Sequence, residues 1–188
     1  MSDKRTQIIE ASIDLFANSG FWNTPTSKIT KHAKVSTGTL FNYFTSKDAL
    51  IDEVYLQLKQ EQATHIAAGY PADGSVKERS EHLWFRYIDW GIHFPVRYRL
   101  LKQLKLSDLI SETARQQSMS EWGFSSSLLP DGVATGVFRD IPTELIGMLC
   151  FAQLESAVNY ATAHHLADMS LTKHIARTFE IFWAGVTS

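Results

Sequence analysis

The stretch "VSTGTLFNYF", residues 35–44, sets hydroxyl and glycine residues directly before a group of aromatics. These residue types suit contact with nucleic acid. Threonine hydroxyls and methyls and an asparagine amide can meet base edges and the thymine methyl, and a glycine lets the backbone come close. Ser36 can cap a short helix running from about Thr37 to Phe44. At 100° per residue Leu40 and Phe44 fall together, while Gly38, Thr39, Asn42 and Tyr43 occupy the opposite arc. One face is apolar and the other small and polar. Hydroxyls at a helix start also suit phosphate oxygens, and Lys47, opening the next helix, adds a charge.

Such a face has to be held by neighbours. "SDKRTQIIEASIDLFANSG" carries Ile9, Ile13 and Phe16 on one stripe, with Ile8 and Leu15 beside it and Gly20 as the stop. "TPTSKITKHA" starts a second helix, with Thr24 as N-cap, Pro25 at the first helical position, and Ile29 and Ala33 facing inward. Lys34 and Val35 form the turn. Two short helices joined by a tight turn behind a third make the helix-turn-helix arrangement that reads DNA.

Beyond residue 47 the periodicity remains helical. Leu50, Val54 and Leu58 mark one side of a long helix, which "GYPADG" breaks. Ser75 and Glu78 have capping-box spacing and open a helix with Val76, Leu83, Tyr87, Trp90 and Phe94 in register. Pro95 starts another. Residues 107–128 read as helix with a polar middle, "LLPDGVATG" as a loop, and Pro142 as the start of an apolar helix reaching about His165. "SLTKHIARTFEIFWAGV" closes the chain with a stripe of Leu171, Ile175, Phe179, Phe182, Trp183 and Val186. No segment alternates like a strand and none repeats. The expected class is all-α with about nine helices.

Bulk properties agree with an ordinary globular protein. Of 188 residues, 44% are hydrophobic and 20% charged, with a net charge of −2, so the chain as a whole is no polybasic binder. The charge is uneven. Residues 1–47 hold six Lys or Arg against three acids, +3, which leaves −5 for the rest. A basic N-terminal segment suits an anionic partner. Cys150 is the single cysteine, which fits a reducing, cytoplasmic setting. The first residues show no apolar signal-peptide core, and no run approaches the ~20 residues of a membrane span.

The segment "ASIDLFANSGFWNTPTSKITKHAKVSTGTLFNYFTSKDAL" resembles the DNA-binding segment of the TetR family of bacterial regulators. The matching positions are Leu15, Phe16, Gly20, Phe21, Thr24, Ile29, Ala33, Val35, Ser36, Gly38, Leu40, Tyr43, Phe44, Ser46, Lys47 and Leu50. The chain departs from the family pattern at Phe41, where a tyrosine is usual, at Lys34, where a turn glycine is common, and at Thr26 and Thr30. The resemblance implies a DNA-binding domain over residues 1–47 and a helical ligand-binding and dimerisation domain over 48–188. It implies DNA contacts from Thr26, Ser27, Lys28, Ser36, Thr37, Gly38, Thr39, Asn42, Tyr43 and Lys47.

It further implies a cavity for a hydrophobic or aromatic effector, with Trp84, Tyr87, Trp90, Phe94, Trp122, Phe124, Phe151 and Asn159 as its candidate lining. Residues 145–161 are apolar nearly all round, and the last helix adds a second apolar stripe, as a homodimer interface built from both would need. The expected function is repression at a palindromic operator, relieved by the effector. The alternative is a DNA-bound architectural or cell-division factor answering to a protein partner. No nucleophile elbow, phosphate-cradling loop or carboxylate pair points to an enzyme. No cofactor is implied. His164, His165, Asp168 and His174 match no strong zinc spacing and read as a surface helix end.

Overall fold

A computed structural model describes residues 3–187 of the chain. Ten α-helices run through the described residues: α1 Lys4–Ser19, α2 Thr26–Ala33, α3 Thr37–Tyr43, α4 Lys47–Ala67, α5 Val76–His93, α6 Pro95–Leu106, α7 Glu112–Ser120, α8 Leu128–Ala134, α9 Thr143–Ala163 and α10 Asp168–Val186. A 3-10 turn, Gly123–Ser125, lies between α7 and α8. Phe138 and Thr187 form an isolated antiparallel bridge. The all-α class holds.

Three local expectations need correction. "LLPDGVATG" is not a loop, because most of it is α8. Pro130 falls in the first turn, where a missing N–H costs no helical bond. Gly132 lies inside α8 because the Phe138 ring occupies the space a Cβ would need. Second, Pro25 and not Thr24 caps α2. Thr24 is buried, and its Oγ1 donates back to the Gly20 carbonyl at 2.7 Å. Third, Leu83 is half-buried and Phe94 is 42% exposed. Val76, Tyr87 and Trp90 are buried as expected, and Trp84 and Ile88 complete the inward face of α5 in place of Leu83 and Phe94.

The helices form two compact units. One comprises residues up to Glu61 with Pro95–Glu121; the other comprises Gln62–Phe94 with residues from Trp122 onward. In the first, Ile8, Ile9, Ile13 and Phe16 of α1 are sealed by packing against α2, α3 and α6. Leu50, Val54 and Leu58 of α4 are likewise fully buried. Arg97, near the start of α6, donates to Glu10 of α1 at 2.7 Å and to Glu61 of α4 at 3.0 Å. One guanidinium thus holds three helices in register.

The second unit packs α5 against α8, α9 and α10. Its centre is Trp84, whose ring stacks on Phe182 at 4.9 Å while Nε1 donates to Thr178 Oγ1 at 3.1 Å. Ser75 and Glu78 form the expected capping box at the start of α5. Arg139 donates to the carbonyls of Thr187 and Ala184 and so caps the end of α10.

Candidate nucleic-acid interface

The geometry begins at the turn between α2 and α3. Lys34 adopts φ 54 and ψ 43, the left-handed conformation that a turn this tight requires. The Val35 N–H closes back onto the Thr30 carbonyl at 3.0 Å. Ser36 then caps α3: its Oγ accepts from the Thr39 N–H at 3.0 Å and shares a hydrogen bond with Thr39 Oγ1 at 2.8 Å. Ile29, Leu40 and Phe44 are at most 3% exposed and fix both helices against α1.

With that face buried, the opposite face of α3 is open. Thr37, Gly38, Asn42 and Tyr43 are exposed, and Thr39 is half-buried. On the first turn of α2, Ser27 and Lys28 are exposed and Thr26 is half-buried. Lys47 is half-buried; its ammonium donates to the Phe21 carbonyl at 2.5 Å and so ties the start of α4 to the turn before α2. The ten candidate residues therefore lie on α2, α3 and their flanks within one unit. Residues 26–47 contain four lysines and no acid, while the Asp14 carboxylate lies 3.7 Å from His32 Nε2 on α2 and exposed Asp48 follows Lys47. Phe41, where the family pattern usually has a tyrosine, is 44% exposed on the same helix.

The candidate effector residues divide among several places. Trp84 belongs to the core, stacked on Phe182 and edge-on to Phe179. Tyr87 is buried and meets the half-exposed Phe151 edge-on at 6.2 Å. Trp90 is buried and lies 6.3 Å from Phe94, whose ring also meets His65. Trp122 and Phe124 stack at 5.9 Å, and Phe124 meets Tyr70 edge-on at 5.1 Å. Asn159 is exposed on α9. Periodicity alone gave no means of separating these groups, because seven of the eight are aromatic and a ring in a core has the same sequence signal as one in a cavity wall. Cys150 is half-buried, and desolvation pushes its thiol up to about 12, which keeps it protonated. No helix among the described residues is long and apolar enough to cross a membrane.

Comparison with known proteins bears on the same residues. Residues 8–54, which contain most of α1, all of α2 and α3 and the start of α4, match the family model of bacterial regulatory proteins of the tetR family. A crystal structure of a tetR family transcription regulator from Shewanella sp. PV-4 aligns over 100% of both chains, with 30% identity and a TM-score of 0.90. The HTH-type transcriptional regulator BetI of Escherichia coli is 25% identical over 70% of this chain and 80% of its own length. The HTH-type transcriptional regulator HbdR of Aromatoleum sp. is 41% identical over 31% of this chain and 24% of its own. The fold is thus kept over the whole chain, while the family model covers residues 8–54. The chain belongs to the TetR family and is a DNA-binding transcriptional regulator.

Proposed function

We propose that the chain acts as a homodimeric repressor in the cytoplasm, binding a palindromic operator and leaving it when a small hydrophobic or aromatic molecule binds. It works by binding and carries out no catalysis. The observation that supports this most is the outward face of α3, where Thr37, Gly38, Asn42 and Tyr43 are exposed while Leu40 and Phe44 are sealed. In this reading residues 1–47 supply the DNA contacts, and 48–188 the effector site and the dimer interface. Asn42, Thr37 and Thr39 meet base edges. Tyr43, Ser27, Thr26, Lys28 and Lys47 meet phosphates, with Ser36 and Gly38 shaping the approach. Exposed Leu145, Met148, Leu149 and Ile181 on α9 and α10 support association through those helices. The aromatic groups around Tyr87, Trp90 and Trp122 support an apolar effector. The effector acts by stabilising a form of the dimer whose two α3 helices no longer match the half-site spacing.

The test is selection from a random DNA pool with purified protein, followed by a salt titration on the winner. A palindrome bound with a steep salt dependence is the expected outcome. No enrichment over random DNA would overturn the reading. Displacement of an apolar dye from the protein, together with release of the selected DNA by the displacing compound, tests the effector step.

A further inference from the structure

Trp22 is 81% exposed, and none of the ring contacts or hydrogen bonds of the described residues involves it. Exposure of one apolar side chain is common and implies nothing by itself. Its setting is what matters. The turn that carries Trp22 is built stiffly from both sides. Gly20 takes φ 74, which reverses the chain after α1. Phe21 is buried, with its ring 5.2 Å from Phe16. Thr24 is buried and bonded to the Gly20 carbonyl. Between these anchors only Trp22 and Asn23 point to solvent. Lys47 then fixes the place of the turn, since its ammonium holds the carbonyl of Phe21, the residue bonded to Trp22. Four residues further on, Thr26 opens α2.

Trp22 therefore stands between the start of α2 and the start of α4, the two places that the proposed function assigns to phosphate contact. We propose that Trp22 is a further DNA contact, lying against the sugar–phosphate backbone with its indole Nε1–H donating to a phosphate oxygen. An indole suits this task. It has a single donor, a flat apolar face for the deoxyribose, and few rotatable bonds to fix. Because it is neutral, it releases no counterion. It strengthens binding to operator and to random duplex alike, and it leaves the salt slope unchanged.

The inference rests on the repressor reading, and the experiment keeps the two apart. Affinities of wild type, Trp22→Ala, Trp22→Phe and Tyr43→Ala for the selected operator and for random duplex are measured across a salt series. Trp22→Ala is expected to weaken both DNAs about tenfold with the salt slope kept, as loss of one hydrogen bond to a charged oxygen predicts. Trp22→Phe recovers part of that loss through the ring face. Since the side chain is solvent-exposed, neither variant should shift the melting temperature. Acrylamide quenching gives a direct second readout: operator should shield one accessible tryptophan in wild type and none in Trp22→Phe. Wild-type affinity in Trp22→Ala, or unshielded quenching with DNA bound, overturns the contact while Tyr43→Ala still weakens binding. If Tyr43→Ala is also without effect, the reading of the α3 face is what has failed.

Discussion

Asn42 and Lys28 are both exposed, yet they are built for different tasks. Asn42 lies near the end of α3, beside Gly38 and Tyr43, and its amide can both donate to and accept from one base edge. Lys28 lies in the first turn of α2 and offers only a charge. On the proposed site Asn42→Ala should cost about 1–3 kcal/mol on the operator and little on random duplex. Lys28→Ala should weaken both and lower the salt slope by about one. Fluorescence anisotropy on the two DNAs at several salt concentrations separates these outcomes. Equal losses on both DNAs for Asn42→Ala would remove it from base reading. Ser36 illustrates a residue whose first task is internal. Its Oγ already serves the Thr39 N–H, so removing it perturbs the start of α3 before any DNA is involved.

Between elements, the first unit carries a charge problem where α4 meets α6. Lys59 is half-buried on α4, and burial, aided by repulsion from Lys105 of α6, brings its ammonium down from 10.5 to about 8. At neutral pH the folded protein carries that charge at a cost. Between about 8 and 10.5 the unfolded chain holds the proton more tightly, so this residue makes stability rise with pH across that window. Lys59→Met should flatten the rise and raise stability at pH 7 by about 1–3 kcal/mol. Urea titrations of both proteins from pH 7 to 10.5 test it, and parallel pH profiles would count against it. This crossing was invisible in the sequence, because Lys59 and Lys105 are far apart in the chain and each reads as a solvated lysine. What was legible followed local rules. The buried stripe of α4, the Ser75–Glu78 box, the Ser36 cap and the turn at Lys34 and Val35 all depend on neighbours within a few residues. The α8 helix was missed because its permission to form comes from afar: Phe138 packs on Gly132, and the Phe138 ring in turn meets Trp183 of α10. The burial of Trp84 in place of Leu83 on α5 has a similar origin, in the stack of Trp84 on Phe182.

At the scale of the whole molecule, the apolar surface of α9 and α10 is more than one chain uses. Leu145, Met148 and Leu149 recur at helical spacing and are 43%, 63% and 39% exposed, and Ile181 on the neighbouring α10 is 67% exposed. The two helices are already locked to each other, with His174 Nε2 against the Ala157 carbonyl at 2.9 Å, so the shared outer face is a fixed surface. A second copy related by a two-fold axis can bury that face against its own equivalent. In the proposed dimer it also brings two α3 helices to one DNA. The second then binds at an effective concentration set by the dimer, not by the solution, which is worth about 100-fold or more in affinity. A Met148→Glu, Ile181→Glu double variant places four carboxylates in the middle of this interface, where none can be hydrated. In sedimentation the wild type should run near twice the chain mass of 21.2 kDa and the variant near that mass itself, with the helical circular dichroism of both alike. The variant should lose the gain from the second half-site while keeping the weak affinity of a single one. If it stays dimeric and binds the palindrome normally, the two chains meet elsewhere, and the exposed face of α9 and α10 serves some other contact.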